Sequence, residues 1–275
     1  MRPFLKRVGG KTKFLPELKA RMPRVYKRFF EPFVGGGALF FDVEPVDAVL
    51  GDASVELMKT YQAVAEDPDG VIELLEFHRR AHAGDDYYYE VRSLWNEGAW
   101  SADPCGHAAA FIYLNKTCFN GLWRVNKKGE YNVPKGAYAN PTIYDASTLR
   151  SAARVLRHAD LHAGDYRHTT AEVKRGDFVY FDPPYDPISK TSSFTAYTKD
   201  VFGDTQQIHL ADWARELRDR GAYVMLSNND TTFIRGLFEK DFCIDTVLCS
   251  RPINSKGAKR GKVAEVIITS YGATS

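Results

Sequence analysis

The chain has 275 residues, 44% of them apolar and 26% charged, which is enough to bury one good core and a smaller subdomain. No apolar run reaches the ~18 residues of a membrane span, and Met1 to Lys13 lacks the apolar stretch of a signal peptide, so a cytoplasmic protein with no membrane partner is expected. A net charge of +2 argues neither for nor against nucleic acid, and the four cysteines (Cys105, Cys118, Cys243, Cys249) show neither a CxxC pair nor a His at zinc-ligand spacing, so no metal and no disulfide is expected.

In chain order, a strand-like run over 28–33 leads into Glu31-Pro32-Phe33-Val34-Gly35-Gly36-Gly37, and Ala38 to Phe41 opens a helix. The glycines therefore fall in a strand-to-helix turn, where backbone can approach a ligand closely. Such a turn alone is unremarkable. Asp52, fifteen residues past Gly37, ends the strand-like run 48–52, where a nucleotide-binding sheet places an acid to accept from ribose hydroxyls. Turn and acid together predict a nucleoside cofactor.

From Val55 to about Asp145 the pattern becomes helical, over 69–82, 85–96 and 104–116. Most of its aromatics (Tyr87, Tyr88, Tyr89, Trp95, Phe111, Tyr113) are expected to pack. The polar, aromatic and basic loop from Thr117 to Tyr138 closes this insertion, and a loop of that length is usually functional. It carries a local basic cluster, Arg124-Val125-Asn126-Lys127-Lys128, flanked by Phe119, Trp123 and Tyr131. A second cluster runs from Arg251 to Lys262 and includes Lys256, Lys259 and Arg260; both predict phosphate contact.

Further strands are expected over 160–165, 177–182, 222–228, 243–249 and 264–271, with a helix over 206–220 ending at Gly221. The pattern is that of an α/β protein: a mostly parallel sheet covered by helices, its last two strands forming an antiparallel edge hairpin.

Asp182-Pro183-Pro184-Tyr185 follows the apolar run Phe178 to Phe181 and offers the parts needed to methylate an exocyclic amine. The lone pair of such an amine is delocalised into the ring, so it needs two acceptors for its hydrogens. The Asp182 carboxylate and the Pro183 carbonyl could supply them while Tyr185 stacks on the base, and the prolines stiffen the loop.

The order and content of these motifs closely resemble the D12 class, or alpha group, of Dam-type DNA adenine-N6 methyltransferases over nearly the whole chain. The residues that carry the resemblance are Phe4-Leu5-Lys6-Arg7-Val8-Gly9-Gly10-Lys11, Glu31 to Gly37, Asp52, Asn115 to Arg124, Gly129 to Pro134 and Asp182 to Tyr185. Phe194 to Tyr197, Ser227 to Asp230 and Arg251 to Asn254 also resemble family segments that line the target-base side. The resemblance implies a Rossmann-like class I methyltransferase sheet (1–56 and 146–275) with an inserted, mainly helical DNA-recognition subdomain (57–145). It implies S-adenosyl-L-methionine as cofactor, with Arg7, Lys11, Glu31, Phe33, Gly35, Gly37, Asp52, Asp165, Tyr166 and Asp182 around it. It implies double-stranded DNA as partner, met by Phe119, Asn120, Arg124, Lys127, Lys128, Pro134, Tyr138, Arg251, Asn254, Lys259 and Arg260.

Three positions depart from the family pattern. Arg7 stands where an aromatic residue is usual, Ala53 where Asn is common, and Ala137 follows Gly136 where relatives carry an Arg that reads bases or contacts phosphate. The expected reaction is methyl transfer to adenine N6 within GATC after base flipping. The competing readings are methylation of RNA, cytosine N4 or guanine N2, and a nucleotide-binding protein without catalysis.

Overall fold

The computed structural model describes residues 1–6, 14–82, 85–187, 202–250 and 262–272. Among the described residues, seven strands form one sheet: β1 (Phe29–Glu31), β2 (Ala48–Asp52), β3 (Ala159–Ala163), β4 (Phe178–Phe181), β5 (Tyr223–Asn229), β6 (Cys243–Ser250) and β7 (Lys262–Thr269). Their order is β3-β2-β1-β4-β5-β7-β6. The first five are mutually parallel, while β7 runs antiparallel between β5 and β6. The antiparallel pair expected at the sheet edge is present, with β7 as its inner member. Val266, Ile267 and Ile268 are buried in succession, as a strand covered on both faces requires, whereas Thr246 and Leu248 of the outer β6 are exposed.

Ten helices surround the sheet among the described residues: α1 (Leu15–Arg21), α2 (Ala38–Val43), α3 (Val55–Glu66), α4 (Pro68–Ala81), α5 (Asp85–Asn96), α6 (Pro104–Thr117), α7 (Ala146–Leu156), α8 (Tyr166–Thr169), α9 (Asp204–Asp219) and α10 (Thr232–Phe238). Their starts are written locally in the sequence. Ser54, Asp67, Asp103, Asp145, Asp165 and Thr231 each accept a backbone N–H of the first turn, and prolines open α4 and α6.

Alternation along the strands divides the interior in two. Phe30, Val179, Phe181, Val224 and Leu226 face α9 and α10, meeting Leu210, Ala214, Leu217, Ile234 and Phe238. Phe29, Phe178, Tyr180, Met225 and Ile267 point the other way, into a core shared with the whole helical insertion. At the centre of that core lies α6, buried from Ala108 through Asn115, as expected of a helix that is apolar all round. Tyr88 and Tyr113 are buried there as expected, while Tyr89 stays at the surface beneath the Arg92 guanidinium.

One continuous core joining insertion and sheet predicts one cooperative unfolding transition. Leu114→Ala, in the middle of α6, should lower the stability of the entire chain by about 2–5 kcal/mol. Urea unfolding followed by both far-UV CD and tryptophan fluorescence checks this; two separate transitions would show that the insertion folds independently.

Candidate active site

The strand order reverses at β1, whose neighbours β2 and β4 connect in opposite directions, and the crevice of such a sheet opens at the carboxyl ends of these strands. The glycine turn leaves β1 at this point. Gly35 and Gly37 have φ of +48° and +67°, and a Cβ on Gly37 would lie 2.9 Å from the Phe41 ring. Glycine is required there by conformation and by space. The Tyr61 hydroxyl donates to the Gly35 carbonyl at 2.8 Å and pins the turn from below.

Asp52 ends β2 facing this turn. One carboxylate oxygen accepts the Gly35 N–H at 3.1 Å and the other accepts the Ser54 N–H at 2.9 Å. Glu31, at the end of β1, is buried and accepts the Phe40 N–H at 3.1 Å. Burial, then the neighbouring charge of Asp182, pushes its carboxyl well above the ordinary value. Phe33 stacks on Tyr166 with ring centroids 5.4 Å apart, and Phe181 and Phe202 present edges to it. Beside this wall Asp165 caps α8 through the Arg167 N–H and pairs with the Arg167 guanidinium at 2.9 Å, which holds its carboxyl below the usual range.

The Asp-Pro-Pro-Tyr loop leaves β4 and is held by side chains from three other elements. The Ser227 hydroxyl donates to Asp182 Oδ1 at 2.9 Å. Gln207 Nε2 donates to the Pro184 carbonyl at 2.8 Å, and the Tyr185 hydroxyl donates to Glu265 at 3.3 Å. Asn228 Oδ1 accepts the Asp186 N–H at 3.0 Å, Asn229 Nδ2 donates to the Asp186 carbonyl at 2.6 Å, and the Thr231 hydroxyl donates to the Asp186 carboxylate at 2.7 Å. Asn228 and Asn229 therefore lie buried beneath the loop and brace it. Gln207, Asp186 and Glu265 were not singled out from the sequence. Gln207 shares the buried face of α9 with Leu210, Ala211 and Ala214, and a polar residue in that register was the available signal.

At the end of the insertion, 117–136 forms a folded-back loop. Phe119 N–H donates to the Pro134 carbonyl at 2.9 Å and Gly136 N–H to the Thr117 carbonyl at 2.8 Å, with bridges at Cys118–Lys135 and Val125–Tyr131. Asn120 turns the chain with φ of +56°. Arg124 Nε donates to Asn132 Oδ1 at 2.8 Å, which orients the guanidinium, and Lys127 and Lys128 are exposed at the loop tip. Trp123 packs against Phe111 and Tyr131 at 4.2 and 4.5 Å and so belongs to the core, whereas Phe119 is exposed. Tyr138 lies 3.9 Å beneath the Lys6 ammonium, and the Asn115 amide pairs with both the N–H and the carbonyl of Lys6 at 2.8 Å. Arg7, Lys11, Arg251, Asn254, Lys259, Arg260 and Phe194 to Tyr197 lie outside the described residues.

Five parallel strands, an antiparallel seventh strand inserted beside the last of them, a glycine turn and an acid at adjacent strand ends, and Asp-Pro-Pro-Tyr after β4 define a Rossmann-like methyltransferase. The chain belongs to the D12 class N6 adenine-specific DNA methyltransferase family, which it matches over residues 8–248. It is 41% identical to the Type II methyltransferase M1.LlaDCHI of Lactococcus lactis subsp. cremoris, over 99% of this chain and 96% of that protein. It is also 41% identical to the Type II methyltransferase M.MjaIII of Methanocaldococcus jannaschii, over 98% and 99% of the two chains. With the DNA adenine methylase of Escherichia coli K12 it shares 34% identity, over 97% of this chain and 94% of the other. The protein is thus an adenine-specific DNA methyltransferase, which sets aside the RNA, cytosine, guanine and non-catalytic readings.

Glu31 generates a stability prediction. A carboxyl whose folded pKa lies above its unfolded value binds more protons in the folded state, so its cost grows as pH rises through 4.5 towards the folded value. Glu31→Gln should therefore make the ligand-free protein more stable than wild type at neutral pH, with the difference shrinking below pH 4.5. Urea midpoints across this range test it, and a pH-independent difference would remove the buried charge as the cause.

Proposed function

We propose that this enzyme transfers a methyl group from S-adenosyl-L-methionine to N6 of adenine in duplex DNA, within GATC, by drawing the target base out of the helix. The observation that carries this reading is the meeting of Asp52, Glu31 and the Asp182 loop at the ends of β2, β1 and β4.

The residues present fit that cofactor. Asp52 is an acceptor for ribose hydroxyls, the Phe33–Tyr166 stack offers an apolar wall beside Asp165 for a purine, and Glu31 with Asp182 supplies negative potential for a cation. Gly35 and Gly37 keep the turn free of side chains at the methionine end, and Arg7 and Lys11 complete the set by resemblance. When bound, the cofactor supplies an electrophilic methyl group on a sulfonium. Asp182 and the Pro183 carbonyl accept the two N6 hydrogens and aim the nitrogen lone pair, Pro184 stiffens the loop, and Tyr185 stacks on the base. Asp182 acts by orientation and charge stabilisation, because the N6 proton becomes acidic only once the nitrogen is methylated. Extrusion costs a few kcal/mol, offset by these contacts and by Phe119 filling the vacated stack.

Residues 1–56 and 146–275 form the catalytic part and 57–145 the target-recognition part of a cytoplasmic enzyme. Phe119, Asn120, Arg124, Lys127, Lys128, Pro134 and Tyr138 meet DNA from the loop, and Arg251, Asn254, Lys259 and Arg260 from the segment before β7. Similarity to proteins named Type II methyltransferases favours a role beside a restriction activity.

Catalysis and cofactor binding should separate. Asp182→Ala should abolish methylation while keeping cofactor affinity within about tenfold, whereas Asp52→Ala should weaken cofactor binding by about 1–3 kcal/mol through the lost charged hydrogen bond. Calorimetric titration with S-adenosylmethionine, together with tritiated methyl incorporation into duplex DNA, checks both; near-normal turnover of Asp182→Ala would sink the assignment.

Arg124 is assigned to the guanine that opens GATC, through its O6 and N7. Arg124→Ala should lower discrimination at that base by about 1–3 kcal/mol, or roughly 5- to 150-fold, more than it slows methylation of optimal DNA at saturation. Initial rates on GATC and its single-base variants decide the matter. A uniform loss on all sequences makes Arg124 a phosphate contact, and an unselective wild type removes GATC.

A further inference from the structure

Tyr180 and Asp182 stand two residues apart along the line of β4 and so face the same side of the sheet. On the neighbouring strand Tyr180 is registered with Met225 and Phe181 with Leu226, which brings Ser227 opposite Asp182. The side chains connect accordingly: Tyr180 Oη lies 2.9 Å from Ser227 Oγ, and Ser227 Oγ lies 2.9 Å from Asp182 Oδ1. A serine hydroxyl carries a single proton. Because Ser227 spends it on Asp182, the Tyr180 hydroxyl must be the donor in the contact with Ser227.

Tyr180 is 1% exposed and Ser227 is fully buried, so bulk water does not compete for either group. Burial, then the nearby charge of Asp182, drives the Tyr180 phenol well above its ordinary range and keeps it protonated. Both O–H dipoles therefore point towards Asp182, and aligned hydrogen bonds in a dry interior strengthen one another. Neither hydroxyl belongs to the Asp-Pro-Pro-Tyr motif or to the glycine turn.

We propose that Tyr180 and Ser227 form a buried hydroxyl relay that fixes the plane of the Asp182 carboxylate and stabilises its negative charge, making both of them positioning residues for methyl transfer. The relay rests on the reading of Asp182 as acceptor for the adenine N6 hydrogens. Its role is to restrict which Asp182 oxygen faces the core, so that the carboxylate meets the amine in one orientation.

The test is the single-turnover rate of methyl transfer to duplex DNA, with S-adenosylmethionine and DNA both saturating and their Kd values measured separately. Ser227→Ala should slow the step by about 10- to 100-fold, the range of a hydrogen bond to a charged group, with both Kd values within about twofold of wild type. Ser227→Thr retains the hydroxyl and should recover most of the rate. Tyr180→Phe should slow the step by about 3- to 10-fold in the wild-type background and add nothing in Ser227→Ala, because its effect passes through Ser227. A wild-type rate for Ser227→Ala, or independent multiplication of the two effects, overturns the relay. If Ser227→Ala fails to fold by thermal melting, Tyr180→Phe decides alone, since it removes only one oxygen; an unchanged rate overturns the relay. Asp182→Asn separates the two levels. If Asp182→Asn works normally, the role of Asp182 itself fails; if it is inactive while Ser227→Ala is fast, only the relay fails.

Discussion

Three carboxylates, Glu31, Asp52 and Asp182, come together at the carboxyl ends of three adjacent parallel strands, and the surrounding structure restrains the charge that results. Each is held differently. Asp52 accepts two backbone N–H groups from the turns beside it, Asp182 receives a serine hydroxyl, and Glu31 is buried and accepts a helix amide. A parallel sheet makes this possible because all its strand ends open on one side, where the chain can place loops from distant parts of the sequence. Burying Glu31 beside Asp182 raises its carboxyl well above the ordinary value, so its charged form costs stability.

Rigidity in the Asp-Pro-Pro-Tyr loop comes from outside it. Two prolines limit the backbone of 183–184, but the position of the loop is set by Gln207 of α9, by Asn228 and Asn229 at the end of β5, and by Thr231. These side chains bond to backbone atoms or to Asp186, and they are largely buried, so each would leave an unpaired polar group if the loop moved. The orientation of Asp182 is thus a property of the β4–β5 pair, and the location of Tyr185 depends on α9 and β7 as well.

The helical insertion is not an appendage. Its central helix α6 shares one core with the sheet, and the loop that follows it is stitched to the chain start where Asn115 pairs with the backbone of Lys6 and Gly121 packs against the Lys6 side chain. A displacement of the loop therefore disturbs the chain at Lys6. The aromatic side chains of this region divide by burial: Trp95, Phe111, Trp123 and Tyr131 build the core, and Phe119 faces outward.

Local chemistry determined much of this protein. Strand-like runs of five to eight residues located the seven strands, caps and prolines located helices such as α4 and α6, and the glycine turn, Asp52 and Asp-Pro-Pro-Tyr marked the crevice, because each of these depends on neighbours within a few residues. The sequence also carried the family, since the motifs come in one order at characteristic spacings. Only the tertiary structure decided that Glu31 faces Asp182, that Ser227 and Tyr180 lie on its line, that Gln207 reaches Pro184, and that Trp123 and Tyr131 pack inward. These facts depend on strand order and register, which bring together residues up to about a hundred and fifty positions apart, and hydrogen-bond geometry acts over a few ångströms of space irrespective of distance along the chain.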